Sequence, residues 1–278
     1  MNLAIGFFDG VHRGHQKILA DADAVLTFSN HPLSVLDPSR MPALLMDADE
    51  RIAMLAAAGA DRPRDVKALR FTREFAAMKP ERFAAFLRRE YPSLGRVYCG
   101  GNWRFGANGA GTPKMLRELG LDVEVVRYAT YMKAPISSTR IRTALSEGDV
   151  KGANAMLGRP FAVTGQVVSG KGLGRRIGSP TLNVAVAPPL KLGVYAVDTP
   201  YGRGVANYGV APTMCDMAWA APVLEVHLFD GGALPDSGSP ATLRATFLAF
   251  LRPEETFGSR EALCEQIAAD VAAAKNMV

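Results

Sequence analysis

The sequence predicts an α/β half built on a parallel sheet, followed by an all-β half that forms an antiparallel barrel or sandwich. Three observations carry this. Strand-like and helix-like stretches alternate from Leu3 to Leu157. Beyond Gly158-Arg159-Pro160, short strand-like stretches follow one another, punctuated by Gly, Pro and Asp. Helical periodicity returns only at residues 259–274. Alternation implies a sheet covered on both faces, and closely spaced strands imply an antiparallel closure. The boundary falls at Gly158, giving domains 1–158 and 159–278.

The elements follow in order. Residues 3–7 read as a short buried strand that runs into a Gly/Asp/His turn and a short helix at 15–20. Ala24–Phe28 is a second strand, closed by Asn30-His31-Pro32. Residues 47–58 have helical periodicity, an Asp cap and Gly59 as a stop. Asp65–Leu69 is a strand, and Pro80–Glu90 is a helix with Pro in its first turn. Strands at 96–99 and 122–127 flank a helix at 113–119, and two helices follow at 138–146 and 149–157. In the second half the strands fall at 161–168, 182–186, 193–197, 204–208, 223–229 and 242–251. Ligands of parallel α/β sheets sit at the carboxyl ends of the strands.

Composition sets the outer limits. The 278 residues are 48% hydrophobic and 21% charged, as in a folded two-domain chain. A net charge of +5 and a pI near 9.2 suit an anionic partner such as ATP, without selecting one. No dense run of Lys and Arg carries interleaved aromatics, which argues against nucleic acid. Cys99, Cys215 and Cys264 are far apart and lack metal-ligand spacing, so a reducing compartment is expected rather than a disulfide framework. Neither a leader pattern nor a membrane-length apolar run is seen, so the expected location is cytoplasmic, away from membranes. Self-association is left open.

The first chemical motif is Gly6-Phe7-Phe8-Asp9-Gly10-Val11-His12-Arg13-Gly14-His15. A strand ends, and glycines let the backbone turn tightly beside a ligand. His12 and His15 lie one turn apart at a helix start, where free N–H groups favour phosphate. Two imidazoles there donate hydrogen bonds without a fixed full charge. This chemistry suits AMP transfer, which rests on positioning and charge stabilisation. A lone His-x-x-His is more often a packed helix pair. The strand before it, the glycines around it and a second motif downstream favour the phosphate reading.

That second motif is Ile136-Ser137-Ser138-Thr139-Arg140-Ile141-Arg142. Its hydroxyls cap a helix whose N–H groups face an anion, and Arg142 offers a planar fork one turn further in.

A third lies in the second half. Gly170, Gly172 and Gly174 let successive N–H groups wrap a phosphate, with charge from Lys171, Arg175 and Arg176. Gly178-Ser179-Pro180-Thr181-Leu182-Asn183 follows. Thr181 and Asn183 alternate along a strand start and so face one side. Their hydroxyl and amide oxygens suit Mg²⁺. Glu225, on the strand Leu224-Glu225-Val226-His227, is placed to take a proton from a primary hydroxyl attacking the γ-phosphate of ATP. From that strand alone, a solvent-facing carboxylate would be the commoner outcome.

These motifs resemble the nucleotidylyltransferase superfamily. The longer words Thr27-Phe28-Ser29-Asn30-His31-Pro32 and Gly100-Gly101-Asn102-Trp103-Arg104-Phe105-Gly106 fall in the order seen in bacterial bifunctional riboflavin kinase/FMN adenylyltransferases, the FAD synthetase family. The resemblance implies a Rossmann-like nucleotidyltransferase domain followed by a six-stranded antiparallel barrel and a terminal helix. It implies that riboflavin is phosphorylated to FMN, and that AMP then passes from ATP to FMN to give FAD. By the same resemblance, His12, His15, Ser138, Thr139 and Arg142 hold the ATP phosphates; Gly6, Phe7, Asp9, Gly10 and Ser137 complete the expected nucleotide site, with Asp9 bracing the turn. Asn102 arranges nucleotide and flavin, Thr181 and Asn183 meet Mg²⁺ and ATP, and Glu225 is the kinase base. An alternative keeps adenylyl transfer and leaves the barrel a weak or inactive flavin-binding module.

Two regions depart from the family pattern. Few residues separate His15 from Val25, so less helix backs the histidines. The stretch after Asp230, Gly231-Gly232-Ala233-Leu234-Pro235, replaces a shorter loop and a Leu-Tyr-Gly turn.

Overall fold

The computed structural model describes residues 1–57, 64–168, 181–209, 222–229 and 241–277. The chain divides into two compact units, Met1–Ser138 and Thr139–Val278.

In the first unit, β1 (Asn2–Ile5), β2 (Ala24–Phe28), β3 (Asp65–Leu69), β4 (Arg96–Gly100) and β5 (Asp122–Val126) form a parallel sheet in the order β3-β2-β1-β4-β5. The intervening helices are α1 (Arg13–Leu19), α2 (Leu33–Leu36), α3 (Ala48–Ala57), α4 (Arg73–Ala76), α5 (Pro80–Glu90) and α6 (Pro113–Glu118). Alternate residues of β1 point to opposite faces, and each face is covered. Leu3 and Ile5 pack with Phe83, Leu87 and Leu116, while Ala4 packs with Phe8, Leu19 and Leu55. This is the expected two-faced parallel sheet. Strand order reverses between β1 and β4, the position where such sheets open a ligand crevice.

The first strand is shorter than the pattern predicts. It ends at Ile5, and Phe8 then enters the left-handed region at φ 59°, which carries the chain out of the sheet. The first helix starts at Arg13 and stops at Leu19 rather than running over 15–20. Gly59, the expected stop of α3, lies outside the described residues. A two-residue hairpin, β6 (Thr130–Tyr131) and β7 (Ala134–Pro135), precedes α7 (Ser138–Glu147). Periodicity does not reach so short a pair.

In the second unit, α8 (Val150–Leu157) leads into β8 (Phe161–Val168), β9 (Thr181–Ala185), β10 (Gly193–Thr199), β11 (Gly202–Gly209), β12 (Val223–Leu228) and β13 (Thr242–Arg252). These close into an antiparallel barrel in the order β10-β11-β12-β9-β8-β13, so the barrel is realised and not the sandwich. Leu182, Val184, Leu224, Val226, Leu243, Ala245 and Phe247 are buried, alternating with more exposed neighbours. Gly204 is required by close approach, because a Cβ there would lie 2.2 Å from the His227 carbonyl oxygen.

Side chains pin the helices to the barrel. Asp149 caps α8 by accepting from Gly152 N at 2.8 Å. Asn154 donates to the Phe247 carbonyl at 3.0 Å and accepts from Phe161 N at 2.7 Å. The last helix, Arg260–Met277, is tied to β13 by Arg252. The guanidinium donates to Asp270 through Nε at 2.9 and 3.2 Å and through Nη2 at 2.8 Å.

Candidate functional site

The loop after β1 is strained. Phe8, Gly10 and Val11 take φ values of 59°, 79° and 39°. Glycine adopts this region at no steric cost, whereas a β-branched residue there stores strain, which concentrates at functional sites. Val11 N donates to the Phe8 carbonyl at 3.0 Å and closes the turn. Gly6 leaves room for the buried Phe8 ring, since a Cβ there would lie 2.9 Å from Phe8 Cζ.

Asp9 is buried and braces the turn. Its Oδ1 accepts from Leu45 N at 3.0 Å, and its carbonyl accepts from Ser138 Oγ at 2.9 Å. The second bond joins the first motif to the start of the second, across 129 residues of sequence. Ser137 is exposed beside it. Thr139 and Arg142 follow on α7 and belong to the second compact unit, where Arg142 Nη2 donates to Thr139 Oγ1 at 3.5 Å.

His12 caps α1, and its Nδ1 accepts from His15 N at 3.2 Å. In the neutral ring that bond leaves the proton on Nε2, as a donor. The two imidazoles stack with centroids 3.5 Å apart and planes 16° from parallel. The His15 ring also meets Phe8 edge-on at 5.3 Å. Its Nδ1 is buried with no hydrogen-bond partner among the described residues. Burial, then the neighbouring His12, holds the His15 pKa well below the usual 6.5. His15 is therefore neutral at physiological pH.

With seven residues, α1 supplies little dipole. The short helix is supported from elsewhere. Arg64 donates to the Leu19 carbonyl at 2.7 Å and to the Ala22 carbonyl at 2.9 Å, and Gln16 Nε2 donates to the Val11 carbonyl at 3.0 Å.

The end of β2 lies beside this loop. Thr27 Oγ1 donates to the Phe7 carbonyl at 3.2 Å. The Phe7 ring meets His31 edge-on at 4.7 Å, and Asn30 exchanges hydrogen bonds with the Phe71 backbone at 2.8 and 3.1 Å. Beyond β4, Trp103 N donates to the Gly100 carbonyl at 3.1 Å, and Trp103 stacks on Phe105 at 4.9 Å. Asn102 stands exposed on that turn.

In the barrel, Glu225 sits opposite Asn183 on one side and Asn207 on the other. Thr181 sits opposite His227. Thr181, Asn183 and Glu225 share the outer face, because Leu182, Val184, Leu224 and Val226 take the buried one. Gly170, Gly172, Gly174 and Arg175 lie outside the described residues.

Residues 1–140 match the family model described as FAD synthetase, and residues 157–278 match the one described as riboflavin kinase. A relative from Escherichia coli, a bifunctional riboflavin kinase/FMN adenylyltransferase, is 35% identical over 96% of this chain and 90% of its own length. Relatives with the same description from Bacillus subtilis and Pseudomonas fluorescens are 32% and 35% identical, over 96% and 98% of this chain and 89% and 91% of theirs. This chain belongs to the bifunctional riboflavin kinase/FMN adenylyltransferase family. A solved structure described as a macrolide-efflux protein from Streptococcus pneumoniae has the same fold. Its TM-score is 0.84 at 27% identity, covering 100% of this chain and 94% of that one. Among the described residues no helix is long and apolar enough to cross a membrane.

In this bifunctional family member, the structure brings together Gly6, Phe7, Asp9, Gly10, His12, His15 and Ser138 within the first unit, and Thr181, Asn183 and Glu225 within the barrel. Sequence reasoning missed Arg51. It is fully buried and lies four residues before buried Leu55 on α3, so a charged residue occupies the apolar face of that helix. That misplacement is a readable signal. Asn207 and Arg64 were also missed. Asn207 is found only from strand register, and Arg64 only from the tertiary fold.

Proposed function

We propose that this chain phosphorylates riboflavin with ATP in its barrel and transfers AMP from a second ATP to FMN in its first domain, releasing pyrophosphate. The observation that supports the first-domain reading is the Ser138 Oγ bond to the Asp9 carbonyl, which joins the two motifs proposed to bind phosphate, beside the strand-order reversal. The functional division is proposed at 158/159, and the cytoplasm is the proposed location.

For adenylyl transfer, the FMN phosphate oxygen attacks the α-phosphorus of ATP, and the bond to the pyrophosphate oxygen breaks. His12 and His15 donate hydrogen bonds to phosphate oxygens as charge shifts onto the leaving group. A neutral His15 imidazole does this without the cost of a buried charge. The strained turn and the Asp9 bonds hold them ready. Ser137, Thr139 and Arg142 are proposed phosphate contacts, and Asn102 a contact to nucleotide and flavin.

For phosphorylation, Glu225 takes the proton from the primary hydroxyl of riboflavin as that oxygen attacks the γ-phosphorus, and ADP leaves. The Thr181 hydroxyl and the Asn183 amide oxygen, on one face beside Glu225, are hard oxygen donors that fit Mg²⁺ with retained waters. When bound, that ion neutralises charge on the ATP phosphates. Gly170, Gly172, Gly174 and Arg175 are the proposed phosphate-wrapping residues of this half. Small molecules are the proposed partners, with no role for nucleic acid.

Incubating the purified chain with riboflavin, ATP and Mg²⁺, then identifying the flavins by chromatography, tests this reading. FMN followed by FAD supports it. Unchanged riboflavin contradicts the barrel reading, and FMN, formed or added, that yields no FAD contradicts the first-domain reading.

A further inference from the structure

Arg51 on α3 is fully buried, an uncommon fate for a guanidinium. Its Nη2 donates to the carbonyl of Phe28, the last residue of β2. Its Cζ lies 3.9 Å from the centroid of the Phe7 ring. Its Nε and Nη1 are buried with no hydrogen-bond partner among the described residues. Burial lowers its pKa, and the nearby Asp9 and Asp47 oppose that shift. A buried, incompletely satisfied cation is costly unless neighbours compensate it. Here the compensation comes from the Phe7 π-face, the Phe28 carbonyl and the field of Asp9, and Phe7 and Asp9 belong to the phosphate-binding loop.

The contacts form a chain across the crevice. Arg51 covers one face of Phe7, and the Phe7 ring meets His31 at 81°. The Phe7 carbonyl is held by Thr27 and the Phe28 carbonyl by Arg51. One guanidinium thus fixes the loop after β1 against the end of β2, where the reacting phosphates are proposed to sit.

We propose that Arg51 is a positioning residue for adenylyl transfer, acting through Phe7 and the Phe28 carbonyl to hold the His12–His15 loop in register with the β2 wall. It touches no substrate itself. Its planar fork serves a carbonyl and a ring together, which an ammonium cannot reproduce in full. Losing it loosens the transition-state geometry more than the binding of ATP.

The proposal rests on the adenylyl-transfer reading, and the whole chain supplies its own control, since riboflavin phosphorylation resides in the other half. The variants are Arg51→Met, Arg51→Lys and Phe7→Leu, each assayed for FAD formation from FMN and ATP and for FMN formation from riboflavin. For Arg51→Met we expect the kcat of FAD formation to fall about tenfold or more, with the KM for ATP changed less than about threefold and FMN formation within about twofold. Arg51→Lys should recover part of the lost kcat, and Phe7→Leu should lower kcat in the same way. An Arg51→Met kcat within about twofold of the unsubstituted protein overturns the proposal, as does a rise in KM alone or a lysine variant no better than methionine. Where Arg51→Met fails to fold, Phe7→Leu decides, and an unchanged kcat there overturns it. An unsubstituted chain that makes no FAD overturns the functional reading and this proposal together.

Discussion

His15 lies under His12, the two rings stacked 3.5 Å apart, with His12 Nδ1 accepting the His15 backbone N–H. Protonating both rings would place like charges in van der Waals contact, and burial, then His12, already holds the His15 pKa well below its usual value. FAD formation should therefore hold steady as pH falls through 6.5 and drop only further down. The stability consequence has a definite sign. The unfolded chain binds a proton at His15 near pH 6.5 and the folded chain does not, so this contribution is fully present above pH 6.5 and is lost as pH falls from there towards the depressed folded value. Denaturation midpoints of His15→Gln against the unsubstituted protein between pH 5 and 8 check this. A mutant whose midpoint falls just as steeply below pH 6.5 contradicts it.

Gly14 separates activity from stability. A Cβ there would lie 3.0 Å from His12 Cε1 and 3.1 Å from Nδ1, so the His12 ring must shift. Alanine is otherwise the better helix residue by about 1 kcal/mol. We expect Gly14→Ala to melt no lower than the unsubstituted protein and to make FAD about tenfold more slowly. Thermal melts and initial rates measure both.

Arg252 and Asp270 tie the last helix to β13, with the Arg side chain 17% exposed and the Asp 8%. Removing one partner leaves the other charge nearly buried. Asp270→Ala should cost the second unit roughly 3 kcal/mol, read from its denaturant midpoint, and leave FAD formation from FMN within about twofold. A midpoint shift under about 1 kcal/mol would place this pair among ordinary surface bridges.

Much of this was legible in the sequence because local chemistry wrote it there. Ala24–Phe28, Asp65–Leu69, Pro80–Glu90 and Phe161–Val168 are found at the bounds their periodicity and caps predict. The His12–His15 turn stood out because glycines beside paired imidazoles are a rare local pattern, whereas Glu225 was singled out through the family resemblance and not by its strand alone. The parts that stayed hidden depend on residues distant in sequence. Arg64 supports α1 from 45 positions away, and Ser138 reaches Asp9 from 129 away. The strand order β10-β11-β12-β9-β8-β13 within the expected barrel follows from register that no periodicity encodes. The end of β1 at Ile5 was misjudged because Phe7 is apolar enough to continue a strand, while the backbone turns at Phe8.

The central claim is two active sites in one chain, each with its own chemistry. Its most direct test is one time course with riboflavin, ATP and Mg²⁺, run on the unsubstituted protein, on His12→Ala/His15→Ala and on Glu225→Gln. The account predicts FMN and then FAD from the unsubstituted protein. The double histidine variant should accumulate FMN with FAD reduced at least a hundredfold, roughly the loss of an oxyanion-type donor. Glu225→Gln should leave riboflavin unconsumed yet convert added FMN to FAD. Unimpaired FAD formation by the histidine variant, or normal riboflavin phosphorylation by Glu225→Gln, would contradict it.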